Sequence, residues 1–251
     1  MTTAERPVTT AEPVTTDPTT AAVTAEAVVI AAATVLPLRD GPNGLEVLML
    51  KRSSKVAFGG MWVFPGGKVD PEDMPEGDEL AGARRAAVRE AMEEATMTID
   101  ESELITWSHW MPPATPGYVQ KRFSTWFFLV GSPLDAAEVI VDGGEIHEHA
   151  WLRPGDALIM REASEIELAP PTFTSLSQLT AYTTVDEALA AGRALAEPPR
   201  FHTRVTSHEG VRILLWQGDA GYEAGDPTMP GPRNRVVWDP DNAMVWEQTS
   251  E

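Results

Sequence analysis

Residues 79–97 constrain the chain most. This alanine-rich run (Ala81, Ala83, Ala86, Ala87, Ala91 and Ala95) reads as one helix and carries Arg89-Glu90-Ala91-Met92-Glu93-Glu94. Ala and Glu favour helix, and Gly82 costs only about 1 kcal/mol against Ala. On such a helix Glu90, Glu93 and Glu94 stand at i, i+3 and i+4, so the three carboxylates share one face. Like charges at that spacing repel by a few tenths of a kcal/mol per exposed pair. Arg partners or divalent cations compensate them most cheaply. Mg²⁺ and Mn²⁺ prefer carboxylate oxygens, water and substrate phosphates. Upstream, Phe64-Pro65-Gly66-Gly67 gives a rigid strand end followed by two residues without a Cβ, so backbone atoms there can approach a ligand or metal closely. The layout suits a metal–pyrophosphate site.

The remaining elements follow from periodicity and turn chemistry. Ala25–Leu36 reads as a central strand, and Asp40-Gly41-Pro42-Asn43-Gly44 turns it into a hairpin with Leu45–Lys51. Met61–Phe64 reads as a short strand and Asp70–Asp78 as an acidic loop. Leu104–Met111 and Arg122–Val130 read as strands, the latter buried on both faces. Glu145–Leu152 leads into a strand or loop, and Pro154–Glu162 into a short helix. Beyond it, Thr172–Leu195 reads as one or two helices with Asp186 as N-cap, and Arg204–Trp216 alternates like one strand. Val236–Trp238 and Ala243–Trp246 flank a hairpin turn. The expected organisation is a disordered tail over 1–24, a main domain over 25–165, and a C-terminal α+β extension over 166–251 packed on it. The tail is Thr, Ala, Pro and Val without apolar period, too poor in buriable surface to offset its ordering entropy.

Composition narrows the function. The chain has 251 residues, 19 Lys+Arg against 38 Asp+Glu, and a net charge of −19. That balance argues against a nucleic-acid polymer, where affinity comes from cations neutralising phosphates, and against an anionic membrane surface. Small phosphate ligands stay open, because a bound divalent cation inverts the local field. With no cysteine, disulfides, thiolate zinc sites and a cysteine nucleophile are ruled out. No run reaches the roughly 18 apolar residues of a membrane span, and the N-terminus lacks a secretory signal. A cytoplasmic protein is the expectation.

Phe64-Pro65-Gly66-Gly67 followed by Arg89-Glu90-Ala91-Met92-Glu93-Glu94 resembles the signature of the Nudix hydrolases: Gly, five residues, Glu, seven residues, then Arg-Glu-apolar-x-Glu-Glu-x-Gly-apolar. Glu145-Ile146, Trp151-Leu152-Arg153-Pro154 and Ala157-Leu158 resemble the segment that follows it. The resemblance covers about residues 25–165 and implies an α/β fold, a Nudix α/β/α sandwich. Three departures stand out. Eight extra residues lie between Gly67 and Arg89. Counted back from Arg89, the first signature Glu falls on Ala81, with Asp78 or Glu79 as substitutes. Thr96 replaces the Gly after the Glu pair. The long box, with Arg122-Phe123-x-Thr125-x-Phe127-Phe128 and the extension, is similar to the coenzyme A diphosphatase branch. Of that branch's dedicated motif, Arg52-Ser53 and Gly60 are present, while Val56 replaces the second Arg.

The resemblance implies water attack on a phosphorus of a nucleoside diphosphate derivative, assisted by Mg²⁺ or Mn²⁺ on Glu90, Glu93 and Glu94 and a backbone carbonyl near Gly67. Arg89 would orient a glutamate. Glu93 and Glu148 are candidate bases, flanked by His147 and His149. Arg52, Lys55, Lys68, Lys121 and Arg122 are candidate phosphate cations, with Arg52 and Arg122 preferred because they border the predicted strands. Trp62, Trp110, Tyr118 or Phe58 would stack on the base or acyl end. Trp107 and Trp110 also suit the core. A homodimer fits the family. The alternative is a catalytically weak Nudix-like nucleotide-binding or regulatory module, favoured by the lost first Glu and the altered spacing.

Overall fold

The computed structural model describes residues 28–53, 59–74, 77–113, 121–132, 139–141, 144–241 and 243–249. The expected tail, Lys55, Val56, Phe58 and Tyr118 lie outside them. Within them the main sheet is built from β1 (Val28–Gly41), β2 (Gly44–Arg52), β3 (Trp62–Val63), β4 (Gly66–Lys68), β5 (Ile105–Met111), β6 (Lys121–Gly131), β7 (Ile146–Leu152) and β8 (Arg200–His202). Its order is β3-β2-β1-β6-β5-β8, with β4 also paired to β1 and β7 to β2. The β1–β6 and β5–β8 pairs are parallel. The predicted hairpin forms, with Gly41 opposite Gly44 and only Pro42-Asn43 between them.

Alternation along β6 assigns the two faces. Trp126, Phe128 and Val130 join Ala33, Val35, Leu48 and Leu50 beneath α1 (Glu79–Ala95). Phe127 and Leu129 point the other way, into the larger core with Leu36, Leu38, Val47 and Met49. Helices α2 (Pro154–Glu162), α3 (Pro170–Leu179) and α4 (Val185–Ala194) contribute Ala157, Phe173, Leu176 and Leu189 to that second core. The architecture is therefore an α/β/α sandwich. The small residues of α1 let it lie close on the sheet. Ala83, Ala86, Ala87, Ala91 and Ala95 are all fully buried. Gly82 has a local reason too: a Cβ there would come within 2.9 Å of Met74 Cβ, in the acidic segment before the helix.

Two readings of the C-terminal third change. The helical stretch is two helices, and Thr184, not Asp186, caps the second: its hydroxyl accepts from Glu187 N at 3.3 Å. Glu187 returns the contact to Thr183 N at 2.8 Å, so the loop end and helix start are locked reciprocally. Arg204–Trp216 is a hairpin of β9 (Arg204–His208) and β10 (Val211–Leu215), turning at Glu209-Gly210 with φ of 51° and 83°. With β11 (Arg233–Trp238) and β12 (Met244–Thr249) these strands form a four-stranded antiparallel sheet. This sheet sends Leu214, Trp216, Val236 and Met244 into the larger core. Strand β8 extends the main sheet directly, so the last third of the chain is tied to the rest by both backbone pairing and packing. Among the described residues no helix is long and apolar enough to cross a membrane.

Candidate active site

Strand β4 and the second half of α1 meet through Gly66 and Gly67. Gly66 N donates to Glu94 Oε2 at 2.9 Å. A Cβ on Gly67 would overlap the Glu90 carboxylate, and one on Gly66 would overlap the Ala33 carbonyl. The Gly-Gly pair is thus required by two close approaches, one to β1 and one to the helix. It brings the carboxylates of Glu90 and Glu94 against the backbone of β4.

Arg89 organises the acidic face. Its Nη1 donates to Glu90 Oε1 at 2.9 Å and to Glu93 Oε2 at 3.2 Å, and its Nη2 donates to the Lys68 carbonyl at 2.9 Å. The same Nη2 lies 2.8 Å from Asp73 Oδ2 and 3.5 Å from Asp70. Asp73 is buried, at 7% exposure, in a 3₁₀ turn over Pro71–Asp73. It also accepts from Asp70 N at 2.9 Å, while Arg85 Nε donates to its carbonyl. Burial would raise the Asp73 pKa, but hydrogen bonding and charge from Arg89 outweigh it and hold the carboxyl below the usual range. The network raises the Arg89 pKa further.

Asp73 follows Gly67 after five residues, the spacing the signature assigns to its first Glu. The extra eight residues therefore enter between this acid and Arg89, shared between the loop and the first turns of α1. Neither expected substitute does its work. Asp78 caps α1 by accepting from Leu80 N and Ala81 N at 3.0 and 3.1 Å. Glu79 accepts from Ser124 Oγ and Trp126 Nε1, each at 3.3 Å.

Burial drives the electrostatics of the glutamates. Glu94 is 6% exposed, and desolvation pushes its pKa up to about 7 against the opposing Gly66 N–H and Arg52 charge. Glu90 is raised by burial too, against the hydrogen bond from Arg89. Glu93 is the exposed member, at 57%. Arg52, at the end of β2, donates Nη2 to Glu145 Oε2 at 2.6 Å. Its Nε is buried and has no hydrogen-bond partner among the described residues. Glu145 also acts on Glu94 through charge, so it is the post-signature acid that the fold brings to the cluster. Periodicity could not separate it from Glu148.

Other expected residues fall elsewhere. Glu148 lies on β7 opposite Lys51, whose Nζ it accepts from at 3.2 Å. Strand pairing, not the cluster, fixes it. His147 is exposed beside it. Arg122 spends Nε and Nη2 on the Pro112 carbonyl, at 3.0 and 2.6 Å. Trp62 is 5% exposed inside the larger core, with Lys51 Nζ 5.8 Å from its ring centroid. A base cannot stack on it without emptying the core. Trp110 stacks on Phe201 at 4.1 Å between centroids, and Trp107 donates to Gln178 at 3.1 Å. Lys68 keeps an exposed side chain on β4 beside Gly67.

The donor set suits a hard divalent cation. It has three carboxylates on one helix face, one of them desolvated, and a glycine whose missing Cβ leaves room for the Glu90 carboxylate. Among the described residues no three ligating side chains are already drawn around a common point. Arg89 holds Glu90 and Glu93 instead.

The comparisons agree with this geometry. A family model described as the NUDIX domain matches residues 29–173, more than half of the chain. A putative nudix hydrolase 7 of Caenorhabditis elegans is 29% identical, over 53% of this chain and 55% of its own length. An acyl-coenzyme A diphosphatase NUDT19 of Xenopus laevis is 28% identical, over 52% of this chain and 35% of its own. The chain thus spans about half or less of the curated relatives it matches. The crystal structure of a NUDIX hydrolase from Alicyclobacillus acidocaldarius superposes with a TM-score of 0.56 at 24% identity, over 64% of this chain and 96% of that one. It supports the fold. With the α/β/α sandwich, the Gly-Gly approach and the Arg89-centred glutamates, these matches show that the chain belongs to the Nudix family.

Proposed function

We propose that the chain hydrolyses the pyrophosphate link of a nucleoside diphosphate derivative in a Mg²⁺- or Mn²⁺-dependent reaction. The observation that carries this reading is the Arg89 junction. One guanidinium, tied to Asp73 and the Lys68 carbonyl, holds Glu90 and Glu93 on the face where Glu94 meets Gly66. A protein that only binds nucleotide needs no such set of carboxylates. With Asp73 at the first acidic position, the signature lacks none of its acids, which counts against the catalytically weak alternative.

Glu90, Glu93 and Glu94 would hold the cations, with backbone at Gly67. When bound, they would lower the pKa of a water and neutralise charge on the phosphoryl oxygens. Glu93, the most exposed carboxylate of the three, would accept the water proton. Oxygen of that water forms the new bond to phosphorus, and the P–O bond to the leaving phosphate breaks. Arg89 keeps Glu90 and Glu93 aligned through charge-assisted hydrogen bonds. Arg52, whose Nε has no hydrogen-bond partner among the described residues and whose position is fixed by Glu145, would bind a phosphate oxygen, and Lys68 a second. The names of the diphosphatase relatives make coenzyme A and its acyl derivatives the first substrates to test. Function in the cytoplasm, and as a homodimer, completes the proposal.

The test is product release from coenzyme A, acyl-coenzyme A, NADH, ADP-ribose and nucleoside triphosphates, with Mg²⁺ and separately with Mn²⁺. Metal-dependent cleavage of one diphosphate class, lost in Glu93→Gln and in Glu94→Gln, is expected. No cleavage of any member, with ligand-induced thermal stabilisation retained, would overturn the reading in favour of a binding module.

A further inference from the structure

A cleft of about 450 Å³ opens along the seam between the two sheets. Met111, Arg122 and His202 from the main sheet line one side, and Arg204, Val205 and Tyr222 from the C-terminal portion line the other. Its charge is unlike that of the chain. Among the described residues no Asp or Glu lines it, although acids outnumber Lys and Arg by 38 to 19 overall. Arg200 stands close by. Burial first, then the charges of Arg200 and Arg122, push the His202 pKa down. The charges of Arg200 and Arg122 therefore both reach His202.

Backbone contacts hold the guanidinium groups and leave donors over. Arg122 uses Nε and Nη2 on the Pro112 carbonyl, leaving Nη1 free of hydrogen bonds among the described residues. Arg204 uses Nη1 on the Glu223 carbonyl at 3.1 Å and lies over the Tyr222 ring, 4.9 Å from its centroid. Among the described residues the acid paired with this group is Glu223, whose carboxylate lies 3.7 Å from Arg204 Nη2 and is 85% exposed. At that exposure the pair neutralises little. Gathering like charges in a cleft raises the energy of the empty site, and an anion relieves it.

The cleft is separate from the acidic face of α1. Arg122 is opposite Val29 on β1, and Gly67 is opposite Ala33. Four residues along the strand and two strand spacings across put them roughly 16 Å apart. No hydrogen bond or ion pair among the described residues joins the cleft to Glu90, Glu93 or Glu94.

We propose that this cleft is a second ligand site, formed by Arg122, His202 and Arg204, that binds a phosphate-bearing anion. The C-terminal portion of the chain completes it, which gives that portion a role besides covering the core. The site does not depend on the hydrolase reading.

Calorimetric titration of the full chain in EDTA, with inorganic phosphate at constant ionic strength, tests it without any metal contribution from α1. One saturable site is expected in the wild-type protein and in Glu94→Gln. Arg122→Gln and Arg204→Gln should each weaken it by about tenfold or more, the scale of one charge-assisted contact. Thermal unfolding of each variant shows whether it is folded, and Arg204→Lys should retain part of the affinity. AMP in a parallel titration identifies the source. Tighter binding than phosphate assigns the site to a nucleotide phosphate, and equal binding assigns it to the free anion. No saturable binding up to about 20 mM, an affinity worth only a few kcal/mol, would overturn the proposal. So would unchanged affinity in both folded Arg→Gln variants.

Discussion

Asp73 and Arg89 are 16 positions apart in the chain and meet through a carboxylate–guanidinium contact of 2.8 Å, with the arginine Nε a further 3.3 Å from the same oxygen. The aspartate is the better buried partner, at 9% side-chain exposure against 27%. Losing its charge would free Arg89 to rotate, and Glu90 and Glu93 would lose their common anchor. A hydrogen bond to a charged group contributes about 1.5–3 kcal/mol. Asp73→Asn should therefore lower kcat/KM by about 10–100-fold, with a higher metal concentration needed for half-maximal rate. Steady-state rates across a metal titration would show this. An unchanged metal dependence would mean that Asp73 serves only the loop.

Glu94 trades stability for function. Its folded pKa of about 7 lies above the usual glutamate value of 4.5, so the folded state prefers the neutral acid. That contribution is fully present below about pH 4.5 and is lost as pH rises through 7. At pH 8 the charged carboxylate costs the metal-free protein up to about 3 kcal/mol. Glu94→Gln keeps an oxygen for Gly66 N and removes the charge. It should raise the metal-free melting temperature at pH 8, leave it little changed at pH 5, and abolish hydrolysis. Melting curves in EDTA at both pH values would reveal the effect, and a lower melting temperature at pH 8 would contradict it.

His109 supplies the opposite slope. It is buried between β6 and β8, with Nε2 2.8 Å from Ser124 Oγ, Nδ1 3.4 Å from His202 Nε2, and the Trp126 ring 4.5 Å away. Burial, then the charges of His202 and Arg200, lower its pKa to about 4, against a small opposing pull from Glu79. Between pH 6.5 and 4 the unfolded chain binds the proton and the folded chain does not. Stability therefore falls across that window, by up to about 3 kcal/mol. The Glu94 contribution runs the other way over much of the same range and masks the fall. In Glu94→Gln the downward slope should emerge, and adding His109→Gln should flatten it. Denaturant unfolding from pH 7 to 4 measures both.

Much of the candidate site is legible in the sequence. Carboxylates at i, i+3 and i+4 on an alanine-rich helix leave one possible face, and Gly66-Gly67 marked the close approach. Asp73 was not readable, because an altered spacing tells how many residues were added but not where. Only the reach of Arg89 settles that. Glu145 and Glu148 are three residues apart, and the start of β7 decides which one leaves the strand for the cluster. Trp62 looks the same in sequence whether its ring meets a ligand or the core. The hairpin at Glu209-Gly210 escaped because a two-residue turn preserves odd–even alternation, so two short strands imitate one.

Thr96 ends α1 in the left-handed region, at φ 52°, where a β-branched residue is strained. The family pattern has Gly here. The hydroxyl recovers part of the cost by donating to the Ile140 carbonyl at 3.0 Å in an exposed position. Thr96→Gly relieves the strain and gives up that weak bond. It should stabilise the protein by about 0.5–1 kcal/mol with unchanged kcat. Chemical denaturation with parallel rate measurements decides the matter, and a loss of stability would show that the Ile140 contact outweighs the strain.

The C-terminal sheet depends on a different pair. Asp219 and Arg235 are 6% and 4% exposed, and the arginine donates Nε and Nη2 to the two carboxylate oxygens at 2.7 and 2.6 Å. Gly221 N and Asn234 N complete the acceptor, at 2.8 and 3.0 Å. Burial would raise the Asp219 pKa, but these donors outweigh it and hold it low. Its contribution is therefore present above the usual aspartate pKa and fades in strong acid. Asp219→Ala leaves a buried guanidinium without its counter-charge, at a cost of about 3–5 kcal/mol. The loss should be local. Hydrogen exchange should accelerate in β10 and β11 while α1 keeps its protection, because the Arg89 junction shares no contact with this pair among the described residues. Uniform acceleration across α1 and β10 would show instead that the two sheets unfold as one unit.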